Sequence, residues 1–207
     1  TAAALSTRLP LGPDINMNSF AVPGHHDADD DGTSVDTTYV GADYFAVMGV
    51  PLVEGRAFTE DEALNDRPVI IVNETFAKTY WPGQSAVGRV VHSGGLERPP
   101  LQIVGVSRDH KVRSAGEAPT AYAHMPIGKS RSIDLVVRTA GPAAGVVTAL
   151  KQAVWALEPD AVFTSEGAAT ESVEATLAPT RIGAALIGVV ALVQALRRRP
   201  TLAPARR

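Results

Sequence analysis

Apolar and polar positions along the chain switch between a period of two and a helical period. Val35 to Val40 reads as a strand, and Asp43 is placed to cap a short helix carrying Tyr44, Phe45, Val47 and Met48. Gly49 stands where a left-handed stop ends such a helix. A Gly-bounded turn and an acidic loop follow, and Val69 to Val72 is continuously apolar and β-branched, as in a strand covered on both faces. Asn73 then caps a helix with Phe76, Ala77 and Tyr80 on one stripe, ended by Trp81-Pro82-Gly83.

The flanks are weaker. A short strand is expected around Ser19 to Val22, and the polar run from His25 to Gly32 reads as a solvated hairpin loop. Val90-Val91, Leu101 to Val106 and Ala121 to Met125 read as strands, with turn material at Ser93-Gly94-Gly95 and Pro99-Pro100. Ile133 to Arg138 alternates, with Ile133, Leu135 and Val137 facing away from Asp134, Val136 and Arg138. Gly141-Pro142 opens a helix whose Val146, Val147, Leu150, Val154 and Leu157 share a face, and Ala161 to Thr164 returns as a strand. Strand, helix and strand of that length form a βαβ-type unit. The expected class is therefore α+β.

The middle of the chain also carries an ordered set of short strings. These are Tyr44-Phe45 before Met48-Gly49, then Gly55-Arg56-Ala57-Phe58, Glu60-Asp61, Val72-Asn73-Glu74, Trp81-Pro82-Gly83 and Gly88-Arg89. In that order and spacing the chain resembles the extracytoplasmic domain of MacB/FtsX-type ABC transporter permeases, the likeness running more loosely from about Ser19 to about Leu196. The resemblance implies a MacB-like periplasmic domain, with a βαβ-type lobe built from both ends of the chain and a small β-rich subdomain inserted at about 88–130. It also implies transmembrane helices on both sides of the domain.

The C-terminal third bears on that second implication. Glu166 to Leu177 reads as a polar amphipathic helix, interrupted by Pro179-Thr180-Arg181, before an uncharged run from Ile182 to Val193. A spanning helix needs about 20 apolar residues. Gln194 and then Arg197-Arg198-Arg199 cut the run short, so 181–196 is expected to be the truncated start of a transmembrane helix. Arg181 is expected to mark its outer boundary, Ala184 and Gly188 would permit close helix packing, and 197–207 is expected to be a disordered basic tail. Residues 1–180 are the expected extracytoplasmic domain, and the chain is read as a fragment.

Composition narrows the function. With 207 residues, 45% hydrophobic and 20% charged, the chain can bury a full core. Its net charge of −3 argues against a nucleic-acid footprint, and zero cysteines exclude disulfides and Cys-based metal sites.

Candidate chemistry is sparse. Asp27-Ala28-Asp29-Asp30-Asp31-Gly32 matches the opening of a calcium loop, but Thr38 stands where the bidentate Glu belongs, so a solvated acidic turn is preferred. His25-His26 could ligate a transition metal, yet in an extended segment the two rings would point apart. Gly128-Lys129-Ser130 has Ala123 where a phosphate loop needs its first Gly. No G-x-S-x-G or H-E-x-x-H string occurs, and Asp109-His110 and His92 lie scattered among charged loops. Glu54, Arg56, Glu60, Asp61 and Glu74 are read as ion-pair partners, with Arg56 tying a loop to a helix N-terminus. Phe45, Phe58, Phe76, Tyr80 and Trp81 are read as core.

No catalytic, cofactor or metal residue is therefore assigned. The resemblance implies a non-catalytic domain in a bacterial inner membrane protein, facing the periplasm or extracellular side. It couples cytoplasmic ATP hydrolysis to substrate or partner handling outside the membrane. Its implied partners are an ABC ATPase subunit or domain, a second permease in a homodimer or heterodimer, a periplasmic protein, and the membrane through the C-terminal helix. The alternative is a soluble extracytoplasmic binding module, calcium-linked through the Asp27–Asp31 loop.

Overall fold

The computed structural model describes residues 2–9, 11, 14–114, 116–128, 133–139, 144–157 and 159–163. Its strands are β1 (Ala2–Ser6), β2 (Met17–Ala21), β3 (Thr33–Val40), β4 (Leu52–Gly55), β5 (Val69–Asn73), β6 (Val90–Ser93), β7 (Pro100–Ser107), β8 (Tyr122–Pro126) and β9 (Asp134–Arg138). Its helices are α1 (Tyr44–Met48), α2 (Glu60–Leu64), α3 (Glu74–Tyr80) and α4 (Ala144–Leu157).

All nine strands belong to one mixed sheet, in the order β2-β6-β7-β5-β8-β3-β1-β9, with β4 on β7. Because β2 also pairs with β3, hydrogen bonding closes around six strands. The β3–β8 and β5–β7 pairs are parallel, and the remaining pairs are antiparallel. The strands expected over 88–130 do not stand apart. They are β6, β7 and β8, hydrogen-bonded to β2, β5 and β3; β5, buried along its whole length, satisfies its backbone groups by pairing with β7 on one edge and β8 on the other.

Alternation along β5 explains the two cores. Ile70 and Val72 join Phe20, Val35, Val91, Ile103, the α3 side chains Phe76 and Tyr80, and Trp81 just past the helix, so the strands wrap around α3. Ile71 and Val69 face the other way, toward Tyr44, Phe45 and Val47 of α1, with Phe58 and Ala63. Each buried large side chain contributes roughly 1.5–3 kcal/mol. The five aromatics expected in the core are all buried, but divided between these two clusters.

Helix ends follow local chemistry with two corrections. Asn73 caps α3 by accepting from the Phe76 N–H at 3.0 Å, and Gly49 closes α1 at φ 70°. Asp43 occupies the N-cap position of α1 but makes no side-chain cap, since its backbone is already near-helical at φ −83° and ψ −1°. The acidic stretch is α2 rather than loop. Thr59 and Glu62 form a reciprocal capping box there, with the Glu62 N–H donating to Thr59 and the Thr59 N–H donating to Glu62.

Departures also occur at Leu52 to Gly55 and toward the chain's far end. Leu52 to Gly55, expected as a turn, is strand β4. Residues 161–163 form no strand; after the Pro159 turn the chain folds back on α4, where the Trp155 indole N–H donates to the Ala161 carbonyl at 2.9 Å. The βαβ-type unit therefore ends at its helix, and β9 pairs with β1 instead, antiparallel. Leu157, expected on the packed face, is 86% exposed. The helix start expected at Pro142, the helix expected over 166–177, the apolar run and the basic tail lie outside the described residues. Among the described residues no helix is long and apolar enough to cross a membrane.

Candidate functional site

The parallel pairing of β3 with β8 places Asp36 beside Tyr122 and Thr38 beside His124. With a period of two, these four side chains share the face opposite Val35 and Ala123. Arg8, just past β1, reaches into this patch with only 6% of its side chain exposed. Its Nη2 donates to Asp36 Oδ1 and to the Tyr122 hydroxyl, each at 2.7 Å, and its Nε donates to Thr38 Oγ1 at 2.8 Å. Nη1 donates to the Asp14 carbonyl. The Thr38 and Tyr122 hydroxyls are also in contact.

Asp36 is the hub of this network. Its second oxygen accepts from Arg113 Nε at 2.9 Å, and Oδ1 also accepts from the Asn16 N–H at 3.3 Å. One buried carboxylate thus ties the exit of β1, the approach to β2, strand β3 and the 108–120 loop together. Breaking one side of such a buried pair costs about 3–5 kcal/mol, because an uncompensated charge stays behind.

Beyond Tyr122 the patch turns neutral. His124 is fully buried, and neither ring nitrogen has a hydrogen-bond partner in good geometry. It stacks on His110 at 5.5 Å and meets Phe45 edge-on at 4.8 Å, with Tyr122 at 5.0 Å and Tyr44 at 5.7 Å. Burial pushes the His124 pKa well below its ordinary value, and nearby His110 and Arg8 add to that. Burial likewise lowers His110 and raises the Tyr44 and Tyr122 phenols. Chemically the arrangement is a charge clamp beside two neutral, stacked imidazoles. It fixes segments relative to one another.

A second clamp adjoins it. The Asp109 carboxylate accepts from Asn73 Nδ2 at 2.7 Å, from the Thr75 N–H at 3.0 Å and from the Thr75 hydroxyl at 2.7 Å. Glu74 Oε2 accepts the Asp109 N–H at 3.2 Å. The 107–122 connection is therefore pinned to the start of α3.

The residues singled out in the sequence fall elsewhere, except Glu74 and the Asp109-His110 pair. Arg56 makes a bidentate pair with Glu62 at 2.6 and 2.7 Å, on the capping box of α2. Asp61 pairs with Arg67, Glu54 accepts from Ser85, and Glu74 pairs with Lys78. His25 and His26 do not point apart. They sit in a turn, not an extended segment, and both rings lie against Tyr80, at 5.4 and 5.8 Å. His26 is engaged through both nitrogens, accepting from the Val22 N–H and contacting the Thr33 hydroxyl. In the Asp27–Asp31 loop, Asp30 accepts from the Gly32 N–H at 2.8 Å. Among the described residues no group of three or more His, Asp or Glu side chains converges as metal ligands. His92 bonds the Arg98 carbonyl at the edge of β6, and of the Gly-Lys-Ser string only Gly128 is described. Arg8, Asp36, Tyr122 and His124 went unnoticed in the sequence. The available signal was parity: Asp36 with Thr38, and Tyr122 with His124, put polar groups on one face of two strands.

A mixed sheet wrapped around one helix, braced by buried charge clamps, defines a non-repetitive α+β domain whose polar core holds segments in register. The matching family model is the MacB-like periplasmic core domain, over residues 12–156, and the chain belongs to this family, the periplasmic domain of MacB-type ABC transporter permeases. The chain is 31% identical over 100 residues to a probable export ATP-binding/permease protein MacB of Pseudomonas entomophila, covering 48% of this chain and 14% of that protein. It is 28% identical over 91 residues to the macrolide export ATP-binding/permease protein MacB of Mannheimia succiniciproducens, covering 44% of this chain and 14% of that protein. The aligned part is thus a small share of these curated relatives. Among solved structures, a domain of a putative permease protein from Porphyromonas gingivalis aligns with a TM-score of 0.51 at 17% identity, covering 77% of this chain and 71% of that one, and so shares the fold. The periplasmic region of MacB from Actinobacillus actinomycetemcomitans aligns at 20% identity and a TM-score of 0.49, over 74% of this chain and 66% of that one.

Proposed function

We propose that this chain is the extracytoplasmic part of an ABC permease subunit that sits in the bacterial inner membrane and faces the periplasm or cell exterior. In this reading the domain does no chemistry. It relays the ATPase cycle of a cytoplasmic subunit or domain to the handling of a substrate or protein partner outside the membrane, within a permease homodimer or heterodimer. Residues 1–180 make up the domain, with one lobe drawn from both chain ends and 88–130 as its β-rich part. Residues 181–196 begin the helix that carries it into the bilayer, and the charged clamps on Asp36 and Asp109 suit a part that moves as a body.

The observation that carries this reading is the family match over 12–156, which coincides with β2 through α4. The related proteins named as macrolide or syringafactin exporters support export as the process served.

The test uses the parent permease with its own cysteines replaced and a single cysteine at exposed Asp29. A membrane-impermeant maleimide is expected to label it in intact cells. Labelling only after permeabilisation would place the domain on the wrong side and end the proposal.

A further inference from the structure

Below β1 lies a groove of about 520 Å³, floored and walled by Ala3, Leu5, Ala42, Ala63, Leu64 and Leu135. Its size falls within the roughly 300–1,000 Å³ typical of binding clefts. Leu64 and Leu135 are each 42% exposed although they wall a concave apolar surface. The Gly128 N–H holds the Ala63 carbonyl at 2.8 Å and the Gly41 N–H holds the Leu5 carbonyl at 2.9 Å, so both sides are fixed to the sheet.

The groove also has a charged border. Asp43 and Glu60 line it, and among the described residues neither has an ion-pair partner. Around Glu60 the contrast is informative: Asp61 is paired with Arg67 and Glu62 with Arg56, while Glu60 alone of the three is left free. Asp43, at the head of α1, spends its carboxylate on no cap. An apolar cleft bordered by two free carboxylates complements a side-chain pair of opposite kind.

We propose that this groove docks a partner polypeptide segment that presents an aliphatic side chain beside a lysine or arginine. The aliphatic group fills the cleft between Leu64 and Leu135, and the cation sits between Asp43 and Glu60. A membrane surface of anionic lipid is disfavoured by the same two charges. The inference rests on the reading of the chain as an extracytoplasmic docking domain, and it names the chemistry of that domain's partner.

The test is fluorescence anisotropy of a short labelled leucine/lysine peptide titrated with the full chain. The D43N/E60Q double variant is expected to weaken binding by about fivefold, the scale of two surface charge pairs. A control of equal charge change, D27N/D29N, is expected to leave binding intact, and L64N/L135N to weaken it without altering the melting temperature. A leucine/glutamate peptide is expected not to bind. Equal loss in the two carboxylate pairs would reduce the effect to bulk charge and overturn the proposal. So would equal binding of the glutamate peptide, or sedimentation showing a self-association that D43N/E60Q abolishes. The assay reads peptide binding alone, so its failure would leave the labelling test of the domain's location untouched.

Discussion

Asn73 and Tyr122 are joined by one oxygen: Asn73 Oδ1 accepts from the Tyr122 N–H at 2.9 Å while it accepts the Phe76 N–H at 3.0 Å. The same side chain's amide donates to Asp109 and to the Thr120 carbonyl. Asn73 therefore caps α3, latches β8 and anchors the 107–122 connection at once. Asn73→Ala removes an N-cap and strands buried polar groups, so a loss of about 2–4 kcal/mol is expected from urea unfolding. A loss below 1 kcal/mol would show that water replaces the amide without cost.

Gly55 and Gly105 permit a backbone approach that no other residue would. A Cβ on Gly105 would stand 2.4 Å from the Arg56 carbonyl oxygen, and one on Gly55 would stand 2.2 Å from the Val104 carbonyl oxygen. Gly55 also adopts φ 69°, a left-handed backbone that disfavours side chains. Gly105→Ala should push β4 off β7 and lower the melting temperature sharply. The readout is hydrogen exchange at the Arg56 amide, which donates to Val104 at 3.0 Å and should lose protection.

Legibility in the sequence followed the range of the interaction. Asn73 and Gly49 were readable because caps act within a few residues, and Val69 to Val72 because continuous β-branched apolar residues have few other fates. Gly105 was not, since the reason for it lies on Arg56, about fifty positions away in sequence. Thr59 and Glu62 spelled a capping box, but the acidic run between them reads equally as loop. Asp36 was hidden for a third reason: a carboxylate inside a strand signals a partner without naming it, and Arg8 and Arg113 arrive from 28 and 77 positions away in sequence.

That hub gives a sharp expectation. Asp36→Asn keeps the shape and removes the charge between Arg8 and Arg113. Because Arg8 stays buried with no anion, the variant is expected to lose about 3–5 kcal/mol. Restoring most of it in R8M/D36L would show that the pair sets geometry more than net stability. A double variant no better than D36N would sink that view.

The acidic loop offers a different test. If Asp27 to Asp31 is a solvated turn, millimolar calcium leaves the melting temperature unchanged, whereas a cation selective for the folded state would raise it. Asp29→Ala is then silent as well. Saturable calorimetric binding that disappears in Asp29→Ala would instead favour a calcium-linked binding module.

The stacked histidines predict how stability depends on pH. His124 is held neutral mainly by burial, with His110, Arg8, Tyr122 and Tyr44 around it and Phe45 against its ring, while the backbone of its strand partner Ile71 works in the opposite direction. His110 is lowered by burial as well, although the Arg108 carbonyl, Asp109 and Glu117 work in the opposite direction. Both folded pKa values therefore lie below the ordinary value of 6.5, so the unfolded chain binds more protons than the fold once pH drops past that point. Stability is full above about pH 6.5 and declines as pH falls toward the lowered folded values. Carboxylates act in a separate window: Glu62, held down to about 2 mainly by Arg56, contributes stability above 4.5 that is lost between there and about 2. Melting curves from pH 8 to pH 5 should thus fall for the native chain and flatten for His124→Phe, which fills the same space without titrating. His110→Asn should flatten them by less, because its burial is opposed by nearby acids. Parallel curves for the native chain and His124→Phe would mean that the ring titrates alike in the folded and unfolded chain, and the neutral-stack account would have to be given up.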